Sequence, residues 1–399
     1  MNYLLCDEPE ARLHLLPLTF TRPVALLRMG IDTLREKWQA FLGEDGGFLT
    51  EPYLRKRFGA RLEETNLLVN ASFVADERLA EAIRELPRNG ILIKDGRWIA
   101  FHAGREEAET TDFKNCLSGR EPREYPGECL QIRHPWDIFT FNGRQIGEDL
   151  RRIALNRRSA EWKGEGTCQW GDYPVFAEEG AQALHAMIDT TQGPVYLGKD
   201  VRIMPGSYVQ GPFALCEGSL VKVGAKIYGG CTFGPYCKVA GEVECTVMTG
   251  YDNKAHDGFL GDAVLGEWCN LGAGTNCSNL KNDYSPVRVW SYAEERFVKT
   301  GLQFCGLFMG DHSKSAIGTL FNTGTVVGVG CNVFGAGFPK NFIPSFTWGR
   351  ETYRVERAID TAKVVYARRG KTFTDADAEV LHEVYLRTIG NREKDQKEV

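Results

Sequence analysis

The sequence predicts an α/β domain followed by a parallel β-solenoid of hexapeptide repeats, with helices at the C-terminus. Three observations predict this. Apolar residues recur every six positions at Leu197, Ile203, Val209, Leu215, Val221, Ile227, Phe233, Val239, Cys245 and Tyr251. A helix repeats near 3.6 residues and a strand near 2, so a sustained six calls for a coil with three flat faces, each turning one side chain inward. Upstream, short apolar runs alternate with helical patterns, as in a layered α/β domain. Downstream the six-residue period gives way to helical spacing. The expected domains are residues 1–172, 173–347 and 348–399.

With 399 residues the chain holds two to three domains with ample core. A net charge of −5 argues against a general nucleic-acid or membrane-surface binder. No apolar run is long enough to span a bilayer. The start, MNYLLCDEPE, lacks the basic and apolar regions of a secretory signal, so a cytoplasmic location is expected. The twelve cysteines show no CxxC and no metal-ligand spacing. Cys231 and Cys237, six apart, read as stacked neighbours packed as small apolar residues in a reducing compartment.

Residues 1–6 read as a buried strand. Ile31, Leu34, Trp38 and Phe41 have helical spacing, and residues 66–72 (NLLVNAS) form a second strand before a helix near 76–86. Residues 90–94 and 97–101 add two strands, giving a three-layer domain with a mostly parallel sheet. Ligands in such domains bind beyond the carboxyl ends of strands, which points to the segments after Cys6 and Val69. Residues 106–126 are polar and read as a long loop, residues 146–156 as a helix, and residues 162–172 as the connector.

The run PLTFTRPVALL, preceded by Arg12-Leu13, resembles the N-terminal signature of sugar-phosphate nucleotidyltransferases. That signature is a Gly-rich turn ending in Arg, then PLT, then Pro-Lys. In such a turn, backbone N–H groups approach nucleotide phosphates and basic residues neutralise the transferred phosphoryl. The resemblance implies a Rossmann-like domain in which Arg12, Thr19, Arg22 and Asn70 bind a nucleoside triphosphate, while Asp7 and Asp76 hold Mg2+ in a rearranged site. The sequence departs from the pattern in three places. DEPEA, from Asp7, replaces the glycines, Val24 takes the lysine position, and Asn70-Ala71 stands where a magnesium-binding Asp is usual.

Within the repeat, the ladder slips after Tyr251 and resumes at Leu265, Leu271 and Cys277. Residues 282–299 then loop out, and the period returns at Met309, Ser315, Phe321, Val327 and Val333. Insertions in solenoids gather where ligands or partners are gripped. Residues 175–193 are expected to form less regular first rungs.

His256 lies in the first interruption. HDGFLGDA, starting at His256, and NLGAGT, starting at Asn270, are closely similar to the acetyltransferase half of the bifunctional N-acetylglucosamine-1-phosphate uridylyltransferase/glucosamine-1-phosphate N-acetyltransferase family. The His stands four residues before LGDA and the Asn fourteen residues after the His, as in that family. PWDIF, GPFALCEGS, GEWCNLGAG, KTGLQFCG and FGAGFPKNFIPSF add to the likeness and place the chain in a divergent branch. The resemblance implies a left-handed β-helix and an acetyl-CoA-dependent transfer to an amino-sugar phosphate, with nucleotidyl transfer as a second activity. It also implies a homotrimer with sites at subunit boundaries.

An amino-sugar nitrogen attacking a thioester must lose a proton, and a neutral imidazole is the natural base near pH 7. His256 is therefore the expected base, with Asn270 orienting the sugar. Backbone N–H groups of Gly272, Ala273 and Gly274 would approach the thioester. Asn279 matches a family Asn, and Phe259 stands at a family Tyr position. Lys254 and Lys281, with Lys238, are positional substitutes for the basic residues that hold the sugar phosphate. His312, near a coil corner, is a second histidine candidate without a motif match.

Residues 356–369 read as an amphipathic helix, and Thr374 with Asp377 as a capping box starting another. Residues 391–399 are charged and read as a frayed end. Two other assignments stay open. One is a sugar-1-phosphate nucleotidyltransferase (uridylyl or thymidylyl) whose solenoid serves oligomerisation. The other is a non-enzymatic sensor or scaffold.

Overall fold

A computed structural model of the chain describes residues 2–110, 113 and 115–397. Met1, part of residues 106–126 and the last two residues, all covered by expectations above, lie outside that set. Contacts divide the chain into two units. The first holds Met1–Leu15, Thr21–Leu27 and Asp32–His134, the second Leu16–Phe20, Arg28–Ile31 and Pro135–Val399. No helix among the described residues is long and apolar enough to cross a membrane.

The first unit is built on a six-stranded sheet. Its strands are β1 (Tyr3–Cys6), β2 (Phe48–Leu49), β3 (Thr65–Asn70), β4 (Gly90–Lys94), β5 (Arg97–Gly104) and β6 (Glu121–Glu124), in the order β2-β1-β3-β5-β4-β6. β1 runs parallel to β2 and β3, but β5 is antiparallel to both of its neighbours. Five of the six strands thus run in one direction, a mostly parallel sheet in which β5 alone is reversed. Asp95 and Gly96, both at positive φ, join β4 to β5 as a two-residue hairpin, so no crossover helix intervenes. Leu4, Cys6, Leu68, Ile91 and Phe101 form the core beneath the sheet.

Helix α1 spans Pro9–His14. α2 runs Leu34–Leu42, three residues later than Ile31, because Thr33 and Glu36 form a capping box that fixes its start. α3 (Glu77–Arg84) is capped by Asp76. The expected loop at 106–126 instead contains α4 (Arg105–Thr110) and edge strand β6, whose EPRE sequence is exposed and therefore lacks strand patterning.

In the second unit, α5 (Pro135–Asn156) begins eleven residues before the expected 146, with a proline at its first position. The solenoid follows as short parallel strands stacked coil on coil. The expected connector already contains a rung, since Cys168–Trp170 pairs with Met187–Asp189. Regular coils take 18 residues, as in Phe213↔Cys231 and Leu220↔Lys238. Residues six apart therefore sit on adjacent faces of one coil, and Cys231 and Cys237 are not stacked. Both are buried free thiols.

Leu197 to Val239 all point into the core, as do Leu265, Leu271, Cys277 and the sites from Met309 to Val333. Cys245 and Tyr251 do not. The coil there is short: Lys238 pairs with Asn253 and Thr232 with Val247, each 15 residues on. The inward positions pass to Val243 and Met248. The shortening begins at a corner. Four residues link Val221 to the strand at Lys226, but only Ala240 and Gly241 link Val239 to the strand at Glu242.

The insertion is larger than 282–299. Cys277 pairs with Phe321, 44 residues on, which leaves 26 beyond a regular coil. It carries an antiparallel hairpin, Arg288–Ser291 with Arg296–Lys299. Trp290 stacks on Phe342 at 4.3 Å, and Tyr292 meets Phe20 and Phe342 edge-on, so these rings fold onto their own chain.

α6 (Val355–Ala367), α7 (Asp375–Arg387) and α8 (Ile389–Lys397) follow. Thr374 and Asp377 do form the capping box on α7. Residues 391–397, expected to fray, lie within α8. α6 is docked by aromatic stacking. Tyr236, Tyr251, Trp268 and His312 occupy successive corners at positive φ. Trp268 stacks between Tyr251 and Tyr366 of α6, each at 4.1 Å. His312 lies against Tyr366 and Phe373, which makes it a packing residue. The stack offsets backbone strain of roughly 1–3 kcal/mol per corner.

Candidate active site

His256 sits on the four-residue corner that follows the strand Asn253–Lys254. Its exposed side chain lines a recess of about 460 Å³, together with Lys222, Val223, Ala240, Asp257, Ala273 and Gly274. The neighbouring corners explain the recess. The full corner at 222–225 projects on one side and the His256 corner on the other, while the two-residue corner at Ala240 is drawn in between them.

Two glycines let the coils approach closely enough to hold this shape. Gly258 has φ +126°, and a Cβ there would lie 2.0 Å from the Thr275 carbonyl oxygen. A Cβ on Gly272 would lie 2.5 Å from the Ala316 backbone. The same closeness limits the turn as an oxyanion site. The Gly272 N–H donates to the Ser315 carbonyl (3.1 Å) and that of Gly274 to the Asp257 carbonyl (3.0 Å). Ala273 holds the one N–H of the three without a backbone acceptor among the described residues.

Lys254 does not face the recess. It is buried, and its ammonium donates to the carbonyls of Ala240 (3.0 Å) and His256 (2.9 Å). It thus ties the His256 corner to the coil before it. Burial pushes the Lys254 ammonium down to about 8, against a smaller upward pull from Asp257.

The remaining expected residues lie elsewhere. The Asn270 Oδ1 accepts from Asn253 Nδ2 at 2.7 Å, and Asn270 does not line the recess. Asn279 is buried, donating through Nδ2 to Glu244 (2.9 Å) and Asp262 (2.7 Å). Burial raises Asp262 to about 6 despite that bond. The Phe259 N–H donates to Asn276 Oδ1, and Lys281 lines a different cavity.

Lys222 was missed from the sequence, where it follows Val221 without any motif. Stacking aligns it with Ala240 and Ala255 on the following coils. Lys238, one coil on, is lowered first by burial and then by Arg369, Lys222 and Arg368, which places those three cations within electrostatic reach of Lys238.

In the N-terminal unit a cavity of about 190 Å³ opens beyond the carboxyl ends of β1 and β3. Glu8, His14, Asn70, Arg97, Gln131 and His134 are among the residues lining it. Asn70 is engaged by the Trp98 carbonyl and Ser72. Glu8 accepts from the Glu10 and Ala11 N–H groups at 3.1 and 2.7 Å, so a carboxylate holds the helix N-terminus that a phosphate would use.

Asp7 is buried and fully engaged, by Arg12 (3.0 Å), Thr50 and the Val24 N–H (2.8 Å). Arg12 is thereby tied up, and Thr19 and Arg22 are buried outside the cavity. Asp76 caps α3 through Leu79. Among the described residues no three His, Cys, Asp or Glu side chains are grouped to hold a metal. These residues do not fit Mg2+.

A family model described as sugar nucleotidyl transferase matches residues 3–158. The bifunctional protein GlmU of Rippkaea orientalis is 32% identical over 175 residues, 39% of this chain and 39% of that protein. A bifunctional sugar-1-phosphate nucleotidylyltransferase/acetyltransferase of Sulfurisphaera tokodaii is 27% identical over 234 residues, 58% of this chain and 51% of that protein. The chain is similar to these bifunctional proteins over part of its length. GlmU of Methanocaldococcus jannaschii is also similar, 28% identical over 127 residues, 32% of this chain and 26% of that protein. The chain thus spans between 26% and 51% of the length of these relatives.

The buried lysine makes a pH prediction. Its folded-state value near 8 lies below the ordinary 10.5, so between these values the unfolded chain holds the extra proton and stability rises with pH. Denaturant titrations at pH 7.5 and 9.5 should show the native protein gaining on the order of 1–2 kcal/mol relative to Lys254→Met. A pH-independent difference would contradict this placement of the ammonium.

Proposed function

We propose that the chain is an acetyl-CoA-dependent N-acetyltransferase acting on an amino-sugar phosphate of the glucosamine 1-phosphate type. The observation that carries this reading is the recess uniting His256, Lys222 and the Ala273 N–H. The amine nitrogen attacks the thioester carbon, the new C–N bond forms, and the C–S bond breaks. His256 takes the amine proton and returns one to the departing thiolate. The Ala273 N–H is available to the carbonyl oxygen as charge develops there.

Lys222, with the cationic field of Lys238, Arg368 and Arg369, draws the phosphate. Asn270 acts as a positioning residue, holding Asn253 three residues before His256. Support for nucleotidyl transfer in the N-terminal unit comes from the family match and the placement of its cavity. No step through magnesium is assigned, because the acidic residues are otherwise engaged.

We further propose that the recess closes between copies in a homotrimer. Exposed Val223, Ile317 and Phe334 follow the same solenoid face as His256 and offer an apolar edge. Twelve free thiols support a reducing, cytoplasmic setting.

Incubation with acetyl-CoA and glucosamine 1-phosphate should release thiol. His256→Ala should lower kcat about 10²–10⁴-fold, while Lys222→Met should chiefly raise KM for the sugar phosphate. An unchanged rate in His256→Ala would remove the mechanism. Sedimentation at micromolar concentration should give a trimer, and a monomer would remove the shared-site proposal.

A further inference from the structure

A large cavity of the second unit lies away from His256, between the inserted hairpin, the loop before Phe342 and α8. Its volume is about 1450 Å³, above the roughly 300–1,000 Å³ common for small-molecule sites. Its lining has two chemistries. Trp290 lies flat on Phe342 (4.3 Å, 13°) with Phe297 at its edge (5.5 Å), which fixes the indole plane. Phe338, a residue 64% exposed, lines the same space. At the hairpin base stand Lys281 and Arg288. Lys281 donates to the Pro286 carbonyl and Ser285 at 3.3 and 3.5 Å, and Arg288 to the Phe297 carbonyl at 3.3 Å. Neither forms an ion pair among the described residues, and five basic side chains face three acidic ones around the cavity.

We propose that this cavity binds a nucleoside phosphate, with the base stacking on the exposed aromatic surface and the phosphates meeting Lys281 and Arg288. A sugar phosphate alone would leave the rings uncovered, and an apolar ligand would leave the cations unmatched. Aromatic stacking and paired cations together are the usual means of holding a nucleotide without base-specific hydrogen bonds. The inference is independent of the acetyl-transfer reading and stands if His256 proves inert.

Calorimetry on the full chain with ADP, UDP, coenzyme A and inorganic pyrophosphate tests it. At least one nucleoside phosphate should bind tenfold or more tighter than pyrophosphate. Arg288→Gln and Phe338→Ala, both at exposed positions, should each weaken that binding about tenfold. Arg97→Gln, in the N-terminal cavity, should leave it unchanged. Preference for ADP or UDP identifies the source as a free nucleotide and preference for coenzyme A as an acyl carrier, and each supports the proposal. Absence of binding by all three, equal binding of pyrophosphate, or loss on Arg97→Gln with the other two variants neutral would overturn it.

Discussion

Every regular coil of the solenoid must deliver one apolar side chain per face to a narrow axis, and 18 residues achieve this with four-residue corners at 198–201, 204–207, 216–219 and 222–225. Hydrogen bonds between coils then fix the height and direction of everything mounted outside. A coil that loses residues cannot drift, because its neighbours hold the register on both sides. It can only draw in a corner and shift its inward positions. The Ala240 corner does this, and the recess beneath His256 follows from it. The insertion is the opposite case: 26 extra residues leave the axis as a hairpin and rejoin it in register.

The N-terminal unit engages the residues of its nucleotidyltransferase-like signature with its own side chains. Glu8 caps α1, Asp7 binds Arg12, and Asp76 caps α3. Each substitution satisfies locally a group that a nucleotide or metal would otherwise engage. Burying Asp7 raises its carboxyl, and the Arg12 charge and the bonds from Thr50 and Val24 oppose that rise. This is a self-contained polar cluster, and it explains why the residues carried over from the family signature do not meet in the cavity.

Much of the fold was legible because its dominant force is periodic. Eight consecutive inward sites from Leu197 to Val239 follow from a six-residue count. The count failed at Cys245 and Tyr251, since a shortened corner leaves no mark in hydrophobicity. β6 was hidden by its charged exposed edge, and the start of α5 by the aromatic run after Pro135, whose place at the first helical position was the signal available. His256 was legible through its motif. Lys222 was not, because its relation to His256 exists only once coils are stacked. Asn270 bonds Asn253, and Lys254 bonds the carbonyls of Ala240 and His256, so both lie behind the recess, a distinction that spacing alone does not contain.

In the proposed transferase, the drawn-in corner at Ala240 creates the working surface of His256. Inserting Val-Gly between Ala240 and Gly241 restores a four-residue corner like that at 222–225 and fills the recess, while keeping the Ala240 carbonyl to which Lys254 donates and the side chains of His256 and Lys222. Acetyl transfer to glucosamine 1-phosphate should fall about 100-fold or more, with the thermal midpoint unchanged within a few degrees. Retained transfer in a folded insertion variant would contradict the account.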